Sequence, residues 1–263
     1  MQDVQAVRRA PPSLLLALTD VPRGLADFST LPIAAYWLGL ARRGDGHPVL
    51  VLPGFSASDR STGVLRRYLS GLGHDVHGWQ LGRNLGPRSI GADGELLIAR
   101  LEEIYTATGQ KVSLVGWSLG GLMARLVARR RPELVRQVIS LGSPIAGDPR
   151  STSVWRLYQM IAGHKVNAPD VSAQMRESEA PPPVPATAIF SKADGIVPWQ
   201  NSLEPPDGQT DNIQVHGSHT GLGVNPAVLY AVADRLAQTD GQWRPFKRSG
   251  LRVLVYPSSG HMQ

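Results

Sequence analysis

The stretch KVSLVGWSLGGLMARLVARR, residues 111–130, decides the fold. Its first five residues, KVSLV, contain three branched apolar side chains and are predicted to form a buried strand. Its last part repeats apolar side chains at helical spacing. Between these parts, Gly116, Ser118 and Gly120 form the pattern G-x-S-x-G. A strand that turns this sharply into a helix strains the middle residue, and it raises the Ser118 hydroxyl above the carboxyl end of the strand. The unpaired N–H groups that begin the helix then lie beside it.

Strands and helices alternate along the rest of the chain. Strands are predicted at 47–52, 75–81, 111–115, 135–141, 186–191 and 212–216. Helices are predicted at 24–42, 62–72, 95–108, 119–130 and 226–237, with Pro32 as a kink or restart point in the first. Helical connections between strands favour parallel pairing. The predicted fold class is therefore α/β, with a mostly parallel sheet of about six strands flanked by helices.

Length and composition predict one domain. The chain has 263 residues, of which 42% are hydrophobic and 18% charged, so it has enough apolar material for one large core. The predicted domain covers 1–263, with 1–46 as an N-terminal helical extension and 238–263 as a C-terminal tail. Residues 148–183 break the alternation, since an amphipathic helical piece is followed by three prolines. We expect this insertion to form a small helical cap or lid.

Composition also excludes several kinds of site. Because the chain has no cysteine, it has no disulfide, thiolate nucleophile or cysteine metal site. No group of His, Asp and Glu residues has the sequence spacing of a metal site, and no phosphate-binding loop is present. Neither a metal nor another cofactor is therefore expected.

The distribution of charged and apolar residues limits the partners. The formal net charge is +6, but the basic residues are dispersed and belong to no nucleic-acid-binding motif, so no nucleic acid partner is expected. No apolar run approaches the roughly 18 residues of a membrane span. The apolar run at 14–16 is too short for a secretory signal, which favours a cytoplasmic location. The oligomeric state stays open.

Five segments resemble, in the same order, segments of bacterial lipases and carboxylesterases of the α/β-hydrolase superfamily. They are PVLVLPGF (48–55), GWSLGG (116–121), SLGSPIAGD (140–148), SKADGIVPW (191–199) and GSHTGLG (217–223). The resemblance implies an α/β-hydrolase fold in which GWSLGG is the nucleophile elbow. It also implies a catalytic triad in the chain order serine, acid, histidine.

A serine hydroxyl is a weak nucleophile and needs a histidine as base. His164 precedes the expected acid and His261 lies in the tail, which leaves His216 and His219. We favour His219, because GSHTG is a flexible loop from which an imidazole can reach over the sheet edge. His216 still lies within the strand pattern, where a structural role is the better interpretation.

The third member of the triad is an acid that orients the histidine. Asp194 follows the strand 186–191, and its loop opens at the same sheet edge as Ser118. The neighbouring apolar residues can shield the carboxylate. Asp148 is the alternative, since some relatives place the acid one strand earlier. Position and motif together favour Asp194.

An oxyanion hole needs backbone N–H groups that point at the developing negative charge. Leu119, directly after the nucleophile, offers one. The resemblance implies that Phe55 offers the other, from the loop after the first strand. The chain departs from the family at Pro53, where histidine is common, but the implied donor lies two residues further on.

Apolar residues near these loops are predicted to bind substrate. They are Trp117, Trp199 and Leu222 in the loops, and Trp155 in the insertion at 148–183. The predicted substrate is a small-molecule or lipid-like ester.

The motifs predict a serine hydrolase that cleaves carboxylic esters through an acyl-enzyme. An acyltransferase or thioesterase with the same triad is the alternative, because an acyl-enzyme can also react with another acceptor. A non-catalytic binding protein of the same fold is a third interpretation. It predicts a broken triad, so the presence of Ser118, Asp194 and His219 argues against it.

Overall fold

The computed structural model describes residues 10–146 and 180–258. Its helices are α1 (Leu14–Ser29), α2 (Leu31–Gly39), α3 (Gly63–Gly71), α4 (Pro87–Ile90), α5 (Glu95–Thr108), α6 (Leu119–Arg130), α7 (Pro226–Leu236) and α8 (Arg252–Val255). Its strands are β1 (Pro48–Leu52), β2 (Asp75–Gly78), β3 (Val112–Trp117), β4 (Val135–Leu141), β5 (Ala186–Ser191) and β6 (Thr210–Val215). Most of the insertion predicted at 148–183, including Asp148, Trp155 and His164, lies outside these residues, as does His261.

The strands of the described residues form one six-stranded sheet in the order β2-β1-β3-β4-β5-β6. Every neighbouring pair is parallel, which confirms the predicted α/β class. The strand order reverses direction between β1 and β3. Open α/β sheets bind ligands at such a point, in the crevice outside the carboxyl ends of the strands. Here those ends carry Pro53 and Ser118.

The core lies on both faces of the sheet, because successive side chains of a strand point to opposite faces. In the fully buried β1, Val49 and Val51 pack with apolar residues of α2, α3 and α7. Leu50 and Leu52 pack with residues of α5 and α6 on the other face. This explains why PVLVL is apolar throughout rather than alternating.

The N-terminal helical region differs from the prediction of one helix over 24–42. Helix α1 begins ten residues earlier, at Leu14, because the Ser13 hydroxyl accepts a hydrogen bond from the Leu16 N–H at 3.3 Å and caps the helix. The chain breaks at Thr30, and Pro32 stands in the first turn of α2, where its missing N–H has no helical role. The restart at Pro32 is thus confirmed, and the predicted start at 24 is wrong.

Elsewhere the predicted and observed elements agree closely, except that β2 ends at Gly78, three residues before the predicted end at 81. Helices α5 and α6 and strands β4 and β5 have the predicted bounds. Strand β3 continues to Trp117, two residues further than predicted. In the C-terminal segment, the buried Tyr256 donates its hydroxyl hydrogen to the Ala227 carbonyl at 2.9 Å, which attaches this segment to α7. Among the described residues, no helix combines the length and apolar character needed to cross a membrane.

Candidate active site

Ser118 stands between β3 and α6 in a strained conformation, with φ 53° and ψ −119°. Residues other than glycine rarely adopt a positive φ, and those that do concentrate at functional sites. The strain persists because the surroundings are tightly packed. A Cβ added to Gly116 would lie 2.4 Å from the Gly120 carbonyl, and one on Gly120 would lie 2.6 Å from the Leu52 oxygen. Only glycine at these two positions allows β3, α6 and the end of β1 to approach this closely.

Asp194 and His219 form a buried hydrogen-bonded pair at the same edge of the sheet. The His219 Nδ1 lies 2.7 Å from the Asp194 Oδ2, and the two residues are 6% and 3% exposed. The other carboxylate oxygen of Asp194 accepts the N–H groups of Ile196 at 2.8 Å and Val197 at 2.7 Å, which fixes its orientation. His216 is exposed. Of the two histidines weighed from the sequence, His219 is the one that Asp194 holds.

Two contacts join this pair to the nucleophile elbow. The Trp117 indole N–H, directly before Ser118, donates to the His219 carbonyl at 3.1 Å. The Ser118 N–H donates to the Leu141 carbonyl at 2.8 Å, and Gly142 is the next residue after Leu141. A Cβ added to Gly142 would lie 3.1 Å from the Asp194 Oδ2 and 3.2 Å from the His219 Nδ1. The fold thus brings all three predicted triad residues to the ends of β3, β5 and β6.

The environment of His219 shifts its pKa upward. Burial alone would lower the pKa of His219, because it penalises the charged imidazolium. The charge and hydrogen bond of Asp194, together with the charge of Asp20, outweigh burial and raise this pKa above the ordinary histidine value. The pocket therefore stabilises the imidazolium, which is the form that a general base becomes after it takes a proton.

The loop after β1 is held against the elbow by Asn84. The buried Asn84 amide donates to the Pro53 carbonyl at 2.7 Å, and the Ser56 N–H donates to the Asn84 carbonyl at 2.7 Å. Ser56 has a positive φ of 59°. A Cβ added to Gly54 would lie 3.4 Å from the Ser118 Cβ, so the loop passes directly beside the nucleophile.

The two predicted oxyanion donors flank Ser118. Phe55 follows Gly54 in this loop and is partly buried. Leu119 is the first residue of α6, and the first N–H groups of a helix have no acceptor within the helix. Leu119 directly follows Ser118, and Phe55 directly follows Gly54, whose backbone passes beside the serine. Their role as oxyanion donors stays a prediction.

Asp20 of α1 is a site residue that the sequence reasoning missed. Its carboxylate is 1% exposed and accepts the N–H groups of Gly195 at 3.0 Å, His219 at 2.9 Å and Thr220 at 2.9 Å. These partners lie 175 to 200 residues away in the sequence. Nothing local distinguished Asp20, because the same helix also carries the charged residues Arg23 and Asp27.

The predicted substrate-binding residues have mixed surroundings. Trp199 stacks on Phe190 with ring centroids 5.7 Å apart. Leu222 is fully buried beside Gly142, so its described contacts are with the core. Trp117 is partly buried and braces His219, as described above. Trp155 lies outside the described residues. Acyl binding by these four residues stays a prediction.

A second polar cluster lies at the opposite, amino edge of the sheet. Potential ligand atoms of Asp45, His47 and His74 lie within 4.8 Å of one another, a grouping that sequence spacing did not reveal. The His47 Nδ1 already contacts Asp45, and its Nε2 lies 2.8 Å from the Ser113 hydroxyl. The Arg136 guanidinium binds the Asp45 carboxylate at 2.9 Å. A metal ion would have to compete with that positive charge.

Part of the chain is similar in sequence to known proteins. A family model described as a PGAP1-like alpha/beta domain matches residues 95–196, which include Ser118 and Asp194. A triacylglycerol lipase of Pseudarthrobacter phenanthrenivorans is 35% identical over 112 residues, which cover 38% of this chain and 34% of that protein. The chain spans about a third of the length of the curated relatives it matches.

Solved structures show the same fold. A monoacylglycerol lipase of Paleococcus ferrophilus is 18% identical with a TM-score of 0.53, over 73% of this chain and 96% of that chain. Aspergillus fumigatus lipase B is 18% identical with a TM-score of 0.55, over 77% and 54%. The chain therefore has the α/β-hydrolase fold. Over the matched 112 residues, its sequence is similar to those of triacylglycerol lipases.

Proposed function

We propose that this protein is a serine hydrolase that cleaves carboxylic esters through an acyl-enzyme. One observation carries the proposal: the buried Asp194–His219 hydrogen bond lies at the sheet edge where Ser118 is held in a strained turn. Such a constellation converts a serine into a nucleophile. The sequence similarity to triacylglycerol lipases supports the ester as substrate class.

In the first half of the proposed reaction, the Ser118 Oγ attacks the ester carbonyl carbon while His219 takes the hydroxyl proton. Asp194 keeps the Nδ1 of His219 protonated, so that Nε2 is the basic nitrogen. The N–H groups of Phe55 and Leu119 stabilise the negative oxygen of the tetrahedral intermediate. The intermediate then collapses, and the departing alcohol takes the proton from His219.

The second half regenerates the enzyme. Water attacks the acyl-enzyme carbonyl while His219 takes one of its protons. The same N–H groups hold the second oxyanion. When this intermediate collapses, the Ser118 oxygen leaves and recovers its proton from His219, and the carboxylic acid is released.

The test combines turnover with labelling. Purified protein is assayed with p-nitrophenyl esters from acetate to long acyl chains, and a fluorophosphonate adduct is mapped by mass spectrometry. We expect hydrolysis, complete inhibition and an adduct on Ser118. Ser70→Ala, at an exposed position near the amino edge of the sheet, serves as the control and should be labelled like the wild type. An adduct on another serine, or no hydrolysis of any ester, would contradict the proposal.

A further inference from the structure

We propose that Asp20 is a positioning residue. It holds the loop of Asp194 and the loop of His219 in the relative position that the hydrogen bond between these two side chains requires. The inference rests on the hydrolase function proposed above. Asp20 is 199 residues from His219 in the sequence, and it reaches the site because α1 lies across the loops after β5 and β6.

Both carboxylate oxygens of Asp20 accept hydrogen bonds from these loops. Oδ1 accepts the Gly195 N–H, next to Asp194, and also the N–H of His219 itself. Oδ2 accepts the Thr220 N–H, and the Asp20 backbone carbonyl accepts the Thr220 hydroxyl at 3.0 Å. One carboxylate thus joins the two loops whose side chains must meet in the Asp194–His219 pair.

Only a carboxylate fits these donors well. It is an acceptor at both oxygens, whereas an asparagine would present an NH₂ group to at least one backbone N–H. Burying a charge is costly unless it is hydrogen-bonded and paired. Three N–H donors provide the hydrogen bonds, and the Arg23 guanidinium lies 3.4 Å from Oδ1.

The backbone of α1 packs tightly against the loops of Asp194 and His219. A Cβ added to Gly24 of α1 would lie 2.5 Å from the Thr220 hydroxyl, and one on Gly195 would lie 2.2 Å from the Leu16 carbonyl. Arg23 also donates to the Ala193 carbonyl at 2.8 Å, beside the acid. Helix α1 therefore contacts both loops over two turns and cannot move independently of them.

Asp20 also acts on His219 through its charge. The two carboxylates that raise the pKa of His219 are Asp194, from the loop after β5, and Asp20, from α1. Arg23 lies behind Asp20 with the opposite charge, and Asp27 on the next turn accepts the Ser218 N–H at 3.2 Å. Removal of the Asp20 charge should lower the pKa of His219, and removal of the Arg23 charge should raise it.

The experiment compares kcat, KM and the acidic limb of the pH profile of kcat/KM for three variants. For Asp20→Asn we expect kcat to fall by about 10- to 100-fold, because small displacements of catalytic groups cost that much. KM should stay within about twofold, and the acidic limb should move to lower pH. Arg23→Gln keeps the Asp20 carboxylate and should move the limb to higher pH.

Asp211→Asn is the matched control. Asp211 also accepts a backbone N–H, from Phe246, and faces an arginine, Arg235, but it lies at the amino end of β6, away from the site. This variant should keep the wild-type rate and pH limb. A purely structural role for Asp20 predicts lower thermal stability, with the acidic limb unmoved in both Asp20→Asn and Arg23→Gln. That result would overturn the proposal.

The outcomes separate this proposal from the proposed function. If the wild type hydrolyses no ester and Ser118 takes no fluorophosphonate, the hydrolase function itself fails. If the wild type is active and Asp20→Asn retains its kcat and pH limb, only the role of Asp20 fails. Should Asp20→Asn not fold, Arg23→Gln decides alone, since its predicted shift has a definite direction.

Discussion

Ser118 has a backbone geometry that the rest of the molecule maintains at a cost in free energy. Its positive φ places the side chain at the start of α6, where the first helical N–H groups and the positive end of the helix dipole lie. An alanine at this position keeps the same Cβ and adds no new strain. Its substitution therefore tests the hydroxyl alone.

Ser118→Ala should fold like the wild type and lose nearly all esterase activity. The oxyanion donors and binding contacts would remain, so we expect kcat to fall by about 10⁴-fold or more. Circular dichroism and thermal melting check the fold, and p-nitrophenyl ester hydrolysis checks the rate. Comparable activity in this variant would refute the role of Ser118 as nucleophile.

His219 should impose an acidic limb on the pH profile. As a general base it must be neutral, so kcat/KM should rise with pH as it deprotonates. Since Asp194 and Asp20 outweigh burial and raise its pKa, the limb should lie above the ordinary value of 6.5. Asp194→Asn removes one of these charges and should shift the limb to lower pH while lowering the rate.

Two histidine variants check this assignment. His219→Ala should abolish both the activity and the limb. His216→Ala changes an exposed side chain three residues away and should leave both nearly intact. Reversed severities would show that His216 is the base.

At the scale of elements, α6 connects the nucleophile to the end of the insertion at 148–183. Arg125 donates to the Ala180 carbonyl at 2.9 Å, and Arg129 donates to the Pro181 carbonyl at 2.8 Å. These contacts attach the last residues of the insertion to the helix that follows Ser118.

If residues 148–183 supply acyl-binding surface, Trp155→Ala and Leu157→Ala should raise KM for long acyl esters more than for acetate. Each lost apolar contact should weaken the binding of a long chain by about 1–3 kcal/mol. The measurement is KM across the ester series, with melting temperature as a second readout. Equal effects on all chain lengths, with lowered melting temperature, would indicate that the segment belongs to the core.

At the scale of the whole molecule, the buried histidines at the amino edge of the sheet should make the fold sensitive to acid. Burial, followed by the charge of His47, lowers the pKa of His74 from 6.5 to about 4. The unfolded chain takes up this proton near pH 6.5, and the folded protein resists it until about pH 4. Stability is therefore present above pH 6.5 and is lost as the pH falls towards 4.

The melting temperature should accordingly fall between pH 6.5 and 4. His74→Phe keeps a ring of similar size against Gly44 without the titrating group, and it should flatten this dependence. His77→Phe, in the same strand region but partly exposed, is the control and should retain the wild-type slope. Identical slopes in all three proteins would show that His74 does not govern the acid response.

Several elements could be predicted from the sequence because their causes are local. Helix α5 and strands β4 and β5 have the predicted bounds, since periodicity and turn residues act within a few residues of each position. The start of α1 at Leu14 was not predicted, although Ser13 is a typical capping residue. The prolines at 11 and 12 precede the helix, so they interrupt none of its hydrogen bonds.

The sequence by itself determined the alternating α/β architecture, the sharp turn at Ser118 and a short set of possible partners for it. Each of these depends on backbone geometry and periodicity within one segment. The tertiary structure decided that Asp194 meets His219 and that Asp20 holds both of their loops. It also gathered Asp45, His47 and His74 at the far edge of the sheet. Such contacts join residues up to 200 positions apart, so they depend on how the loops and helices pack, which no local pattern encodes.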